Sequence, residues 1–137
     1  MTQTSKKRIL VVDDEQDNAF VLALILEEHG FIVDTFTDPN KALSDFKPSY
    51  YDLIILDYRM ANLDGLKLCK KIKSLDTSTK TMLLSAGHEQ LQLQIDELRR
   101  NFLMILKKPI SGSKLLEEVS NILNQKYEVP KDDPLEK

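Results

Sequence analysis

Tryptophan is absent from the 137-residue sequence, and cysteine occurs once, at Cys69. A single cysteine cannot form an intramolecular disulfide, so the cysteine content gives no sign of an oxidising compartment. Positive charge is not in excess either, since the formal net charge is −3, and this argues against nucleic acid as a direct ligand. The apolar runs are too short for a signal peptide or a membrane span. These absences predict a cytoplasmic protein that neither binds nucleic acid directly nor inserts into a membrane.

The remaining composition is that of a globular protein of ordinary size. Hydrophobic residues make up 42% of the chain and charged residues 30%, and the length is sufficient for one core. We predict a single domain over residues 1–125. Residues 126–137 carry two prolines and many charges, so we predict a disordered C-terminal tail there.

Short apolar runs alternate with amphipathic stretches along most of the chain. The runs, predicted as strands, are Ile9–Val12, Phe31–Phe36, Leu53–Leu56, Met82–Leu84 and Leu103–Leu106. The amphipathic stretches, predicted as helices, are residues 16–29, 39–47, 65–74, 88–101 and 112–125. This alternation predicts an α/β fold with a parallel sheet and helices on both faces, connected by right-handed crossovers. The second run contains Asp34 and Thr35 and is the least uniformly apolar, so we predict it to be an edge strand.

Polar side chains follow four of the five predicted strands. In an open parallel sheet the ligand site lies at the carboxyl ends of the strands, so these residues are candidates for a common site. They are Asp13, Asp14 and Glu15 after the first strand, Asp57 after the third, Ser85 after the fourth, and Lys107 and Lys108 after the fifth. Each one alone has an ordinary structural explanation, such as a helix N-cap for Asp14 or a solvated side chain for Lys108.

The combination of these residue types indicates phosphoryl chemistry. Carboxylates at the ends of neighbouring strands repel one another unless a cation lies between them, and hard oxygen ligands suit Mg²⁺ or Mn²⁺. A lysine and a hydroxyl group beside such a metal can neutralise and hydrogen-bond a phosphoryl group. One carboxylate can then act as a nucleophile and form an acyl phosphate.

The segments that carry these residues resemble the receiver domain of the response regulators of bacterial and archaeal two-component systems. The resemblance rests on ILVVDDE at 9–15, LIILDYRMANLDG at 53–65, LLSA at 83–86 and Lys108-Pro109, and it covers roughly residues 7–125. It implies a flavodoxin-like, doubly wound sheet of five parallel strands in the order 2-1-3-4-5.

The resemblance also implies a role for each site residue. Asp57 is the implied phosphoacceptor, and Ser85 and Lys108 are the implied ligands of the phosphoryl oxygens. The implied ligands of Mg²⁺, or of Mn²⁺, are Asp13, Asp14, Asp57 and the backbone carbonyl of Arg59.

Three positions depart from the usual pattern of that family. Ala61 stands where the family often has proline, and Ser85 stands where threonine is commoner. Ile105 replaces an aromatic residue that normally swings inward as the hydroxyl residue moves toward the phosphoryl group. We therefore predict that the signal travels as a shift of the 88–101 helix, on whose outer side Leu93 is predicted to lie.

The function implied is that of a stand-alone phosphoryl-accepting switch without substrate turnover, and so not an enzyme. It would receive phosphate from a histidine kinase or a histidine phosphotransfer protein. It would signal by self-association, or by binding an output partner, through the 88–101 helix and the last helix. One alternative is the N-terminal receiver module of a longer regulator whose output domain is missing. Another is a phosphatase that forms an aspartyl phosphate, but such enzymes need a second acid near the nucleophile, and Tyr58 and Arg59 follow Asp57.

Overall fold

Five parallel strands form one sheet in the computed structural model, which describes residues 6–87 and 89–123. The strands are β1 (Arg8–Val12), β2 (Ile32–Phe36), β3 (Leu53–Asp57), β4 (Thr81–Ser85) and β5 (Met104–Lys107). Their order is β2-β1-β3-β4-β5, and each neighbouring pair is parallel. The predicted fold class, strand order and edge position of β2 are therefore confirmed.

The helices begin close to the predicted positions. They are α1 (Gln16–Glu28), α2 (Pro39–Ser44), α3 (Gly65–Leu75), α4 (Glu89–Leu93), α5 (Ile95–Asn101) and α6 (Gly112–Leu123). Local capping explains several of these starts: Asp38 accepts a hydrogen bond from the backbone of Asn40, and Ser111 accepts one from Lys114. The predicted α6 residues 124–125 and the predicted tail lie outside the described residues. In the described part of the chain, no helix is both long enough and apolar enough to cross a membrane.

The prediction of one continuous helix over residues 88–101 is wrong. The helix is divided at Gln94, whose φ of −118° and ψ of 14° end the regular α-helical conformation. The side-chain oxygen Oε1 of Gln94 accepts a hydrogen bond of 2.8 Å from the Tyr58 hydroxyl. This contact with a residue far away in sequence lies at the break, and an amphipathic pattern does not record it. The second helix also ends earlier than predicted, at Ser44 instead of residue 47.

The sheet is buried on both faces, which explains why β3 is apolar without interruption. Leu53 and Ile55 belong to a core cluster that includes residues of α1 and α6. Ile54 and Leu56 belong to a second cluster on the opposite face, which includes residues of α3 and α5. Cys69 is completely buried in the second cluster, where it acts as a small hydrophobic side chain.

Candidate functional site

The carboxyl ends of the central strands and of β5 bring the predicted site residues together. Val12 pairs with Leu56, Asp57 with Leu84, and Ser85 with Lys107, so the residues at these ends share one edge of the sheet. A cleft of about 820 Å³ opens at this edge. The residues that line it are Asp14, Glu15, Asp57, Tyr58, Arg59, Ser85, Ala86, Gly87, Leu91 and Lys108.

Three carboxylates form a compact acidic cluster in this region. One oxygen from each of Asp13, Asp14 and Asp57 lies within 4.8 Å of the others. Asp13 and Asp57 are buried, with 1% and 8% of their surfaces exposed. Burial is the largest cause that raises the pKa of Asp57 above its ordinary value; the hydrogen bond from Lys108 opposes it, and the charges of Asp13 and Asp14 add to it.

Lys108 is the cationic partner of two of these carboxylates. Its Nζ lies 2.8 Å from Asp57 Oδ1 and 3.2 Å from Asp13 Oδ2. Burial alone would lower the pKa of Lys108, but the hydrogen bonds and charges of the two carboxylates outweigh it, and the net effect raises the pKa. The backbone N–H of Lys108 donates to the Ser85 carbonyl at 2.8 Å, which ties the end of β5 to the end of β4.

The loop after Asp57 ends at Gly65, a position that has no room for a side chain. The Gly65 N–H donates to the Tyr58 carbonyl at 2.8 Å, so the start of α3 lies directly against the end of β3. A Cβ atom on Gly65 would lie only 2.5 Å from the Asp57 backbone oxygen. The preceding Asp64 caps α3 by accepting a hydrogen bond of 2.8 Å from the Lys67 N–H. The Asp64-Gly65 pair therefore starts the helix while allowing a close approach to Asp57.

Ser85 and Arg59 complete the set of predicted site residues. Ser85 is 2% exposed, and its hydroxyl accepts a hydrogen bond of 3.2 Å from the Gly87 N–H. Arg59 has an exposed side chain and lines the same cleft. Asp13 is buried and contacts Lys108. The predicted site residues therefore all lie in one region, and they are Asp13, Asp14, Asp57, Arg59, Ser85 and Lys108.

Two contacts at the site were not predicted from the sequence. The Tyr58 hydroxyl reaches Gln94, as described above, and the backbone N–H of Ala61 donates to Asp14 Oδ2 at 3.0 Å. No sequence signal indicates the partner of Tyr58. For Ala61 a signal exists, because alanine retains a backbone N–H that proline lacks.

The donor set fits a hard divalent cation. Its side-chain donors are carboxylate oxygens, the ligand type that Mg²⁺ and Mn²⁺ prefer. The three carboxylates outnumber the lysine that contacts two of them, and the charges of Asp13 and Asp14 raise the pKa of Asp57. A divalent cation at this position would relieve that repulsion.

Comparison with known proteins identifies related chains. Residues 9–120 match the family model described as the response regulator receiver domain. The transcriptional regulatory protein ResD of Bacillus subtilis is 30% identical over 125 residues, which cover 91% of this chain and 51% of ResD. The transcriptional regulatory protein ZraR of Escherichia coli is 26% identical over 126 residues, which cover 92% of this chain and 28% of ZraR. The chain thus spans about half the length of ResD and a smaller part of ZraR.

Solved structures share the fold. The CheY-like receiver domain protein of Methanospirillum hungatei superposes with a TM-score of 0.80 at 24% identity, covering 88% of this chain and 95% of that one. The response regulator TrrA of Thermotoga maritima, solved in complex with Mg²⁺–BeF, gives a TM-score of 0.73 at 30% identity, with coverages of 85% and 99%.

Proposed function

Because the chain belongs to the response regulator receiver domain family of two-component systems, we propose that it is a phosphoryl-accepting switch with Asp57 as the acceptor. The observation that carries this proposal is the position of Asp57. Its carboxylate lies at the end of a buried strand, 2.8 Å from Lys108 Nζ and beside two further carboxylates. This arrangement joins a fixed nucleophile to a cation that can neutralise an incoming phosphoryl group.

The reaction that we propose is transfer from a phosphohistidine. A carboxylate oxygen of Asp57 attacks phosphorus as the P–N bond breaks, which forms an acyl phosphate and releases the histidine. Lys108 can remain in contact with a phosphoryl oxygen, and the Ser85 hydroxyl can donate a hydrogen bond to another. Lys108 also favours the ionised form of Asp57 that the attack requires.

The acidic cluster supports Mg²⁺, or Mn²⁺, as the metal. The residues that would hold it are Asp13, Asp14, Asp57 and the backbone carbonyl of Arg59. The bound cation would offset the repulsion between an anionic carboxylate and an anionic phosphoryl group. The complex of TrrA with Mg²⁺–BeF supports this choice of metal.

An apolar surface beside the cleft supports a protein as the phosphoryl donor. Val21, Pro109 and Ile110 line a second pocket. Asp13 and Lys108 also line this pocket, so it lies beside the acidic cluster. On the same helix as Val21, Phe20 has 64% of its surface exposed. A histidine kinase or a histidine phosphotransfer protein could cover this surface as it presents its phosphohistidine to Asp57.

A receiver module of a longer regulator is the second candidate. Its support is that the chain spans about half of ResD, a transcriptional regulatory protein, and 28% of ZraR. Both candidates use the same acceptor site and differ only in whether the signal passes to another protein or to an attached domain.

Phosphorylation by acetyl phosphate with Mg²⁺ tests the acceptor assignment. We expect intact-mass spectrometry to show one added phosphoryl group on the unaltered protein and none on Asp57→Asn or in excess EDTA. Asp96→Asn, which changes an exposed carboxylate on α5, is the matched control and should be phosphorylated normally. Labelling of Asp57→Asn, or undiminished labelling in EDTA, would contradict the proposal. Sustained hydrolysis of p-nitrophenyl phosphate would instead support a phosphatase.

A further inference from the structure

The loop between β3 and α3 contacts the acidic cluster through one backbone group. The N–H of Ala61 donates to Asp14 Oδ2 at 3.0 Å and so joins two residues that are 47 positions apart. The other end of the loop is anchored where the Gly65 N–H meets the Tyr58 carbonyl. The loop is thus fastened both to the strand that carries Asp57 and to the carboxylate of Asp14.

This hydrogen bond orients a carboxylate that is otherwise less constrained than its neighbours. Asp13 is buried, with Oδ1 bound by the Glu15 N–H at 2.9 Å and Oδ2 bound by Lys108. Asp14 is more exposed than Asp13, and Ala61 binds its Oδ2. Holding Oδ2 in this way limits rotation of the Asp14 carboxylate, which contributes one oxygen to the acidic cluster.

We propose that the backbone N–H of Ala61 is a positioning group for the metal site and raises its affinity for Mg²⁺ and Mn²⁺. This inference rests on the proposed function, because it takes Asp14 to be a metal ligand. Hydrogen-bond partners of metal ligands typically contribute a factor of about 10 to 100 to metal affinity. The exposed position of Ala61 places the expected effect at the lower end of that range, since water can replace part of the lost bond.

Substitutions at two neighbouring positions separate the effect of the Ala61 N–H group from the effect of loop flexibility. Ala61→Pro removes the N–H and stiffens the backbone, whereas Ala61→Gly retains the N–H and loosens the backbone. Asn62→Pro places the same ring in the loop without removing the donor to Asp14. Replacing Ala61 by lactic acid, which converts the amide to an ester, removes the N–H without adding a ring. This last variant keeps the test decisive if Ala61→Pro fails to fold.

The dissociation constant is measured by titration with MgCl₂ and with MnCl₂ in the absence of any phosphoryl donor. Calorimetry and backbone amide NMR monitor the titrations. We expect the dissociation constant to rise about tenfold in Ala61→Pro and in the ester variant. Ala61→Gly and Asn62→Pro should remain within about twofold of the unaltered protein.

Three results would overturn the inference, in two different ways. Equal affinity of the ester variant and the unaltered protein would remove the role of the N–H while leaving the proposed function intact. Failure of the unaltered protein to bind either metal, or unchanged binding by Asp14→Asn, would overturn both the inference and the metal site of the proposed function.

Discussion

Gly65 is the residue at which fold and site depend most directly on the absence of a side chain. A Cβ atom there would lie 2.5 Å from the Asp57 backbone oxygen and 3.1 Å from Tyr58 Cα, so the backbone of β3 or α3 would have to move. We predict that Gly65→Ala lowers the free energy of unfolding by about 1–3 kcal/mol, despite the better helix propensity of alanine. Urea denaturation measures this change.

Gly87 provides the matched control for Gly65. It lies beside the same cleft, and a Cβ atom there would meet no heavy atom within 4 Å. Gly87→Ala should therefore change the free energy of unfolding by less than about 0.5 kcal/mol. Similar destabilisation by both substitutions would show that the close approach at Gly65 is not the cause.

The ionisation of Asp57 gives the stability of the metal-free protein a specific pH dependence. The folded state raises the pKa of Asp57 above the ordinary value of 3.8, mainly through burial. The folded protein therefore binds this proton more tightly than the unfolded chain does. The resulting stabilisation is present below pH 3.8 and is lost as the pH rises through the folded-state pKa.

We predict that Asp57→Asn, which removes this ionisation, is more stable than the unaltered protein at pH 7 when no metal is present. The advantage should shrink as the pH is lowered toward 3.8, and denaturation in EDTA across this range measures it. Adding MgCl₂ should stabilise the unaltered protein more than the variant, because the variant has lost a carboxylate of the cluster. An advantage that stays constant with pH would contradict the prediction.

At the scale of elements, the strands were easier to predict from the sequence than the helices. All five apolar runs form strands, and in β3, which is buried on both faces of the sheet, burial explains why the run is apolar without interruption. The division of the 88–101 helix was not predictable in this way. Leu91, Leu98 and Phe102 all pack against the second core cluster, so the amphipathic pattern continues through the break at Gln94.

The Tyr58–Gln94 hydrogen bond is expected to stabilise that break. The Tyr58 side chain is buried, and removal of its hydroxyl would leave Gln94 Oε1 without this donor. In a double-mutant cycle of Tyr58→Phe and Gln94→Ala, we predict a coupling free energy of about 0.5–1.5 kcal/mol. Urea denaturation of the two single variants and the double variant gives this value, and additive effects would contradict it.

The same bond connects the candidate acceptor to α4. Tyr58 follows Asp57 directly, and Gln94 follows the last residue of α4. Both Tyr58→Phe and Gln94→Ala should therefore speed amide hydrogen exchange in residues 91–94 while leaving α6 unchanged. Unchanged exchange near Gln94 would show that the position of the break does not depend on this bond.

At the scale of the whole molecule, the sheet topology made the proximity of the candidate site residues predictable. Parallel strands end at the same edge, so Asp57, Ser85 and Lys108 had to lie near one another once the strand order was known. Contacts made by loops do not follow from topology. The bond between Ala61 and Asp14 depends on the conformation of the β3–α3 loop, which no periodic pattern encodes.

A substitution at Leu93 can test whether the whole molecule associates through α4. The predicted exposure of Leu93 is confirmed, with 88% of its surface accessible at the end of α4. The Tyr58–Gln94 bond connects this end of α4 to Tyr58, which directly follows the candidate acceptor Asp57. A change at Asp57 therefore has a short route to Leu93.

We predict that Leu93→Asp leaves phosphorylation of Asp57 and folding intact but weakens phosphorylation-dependent association, with itself or with a partner, by about tenfold or more. This magnitude corresponds to the apolar area that a leucine buries in an interface. Sedimentation velocity and pull-down of the phosphorylated protein measure the effect, with Leu75→Asp, 52% exposed at the end of α3, as the control. Equal loss in both variants, or unchanged association of Leu93→Asp, would show that α4 is not the surface that carries the signal.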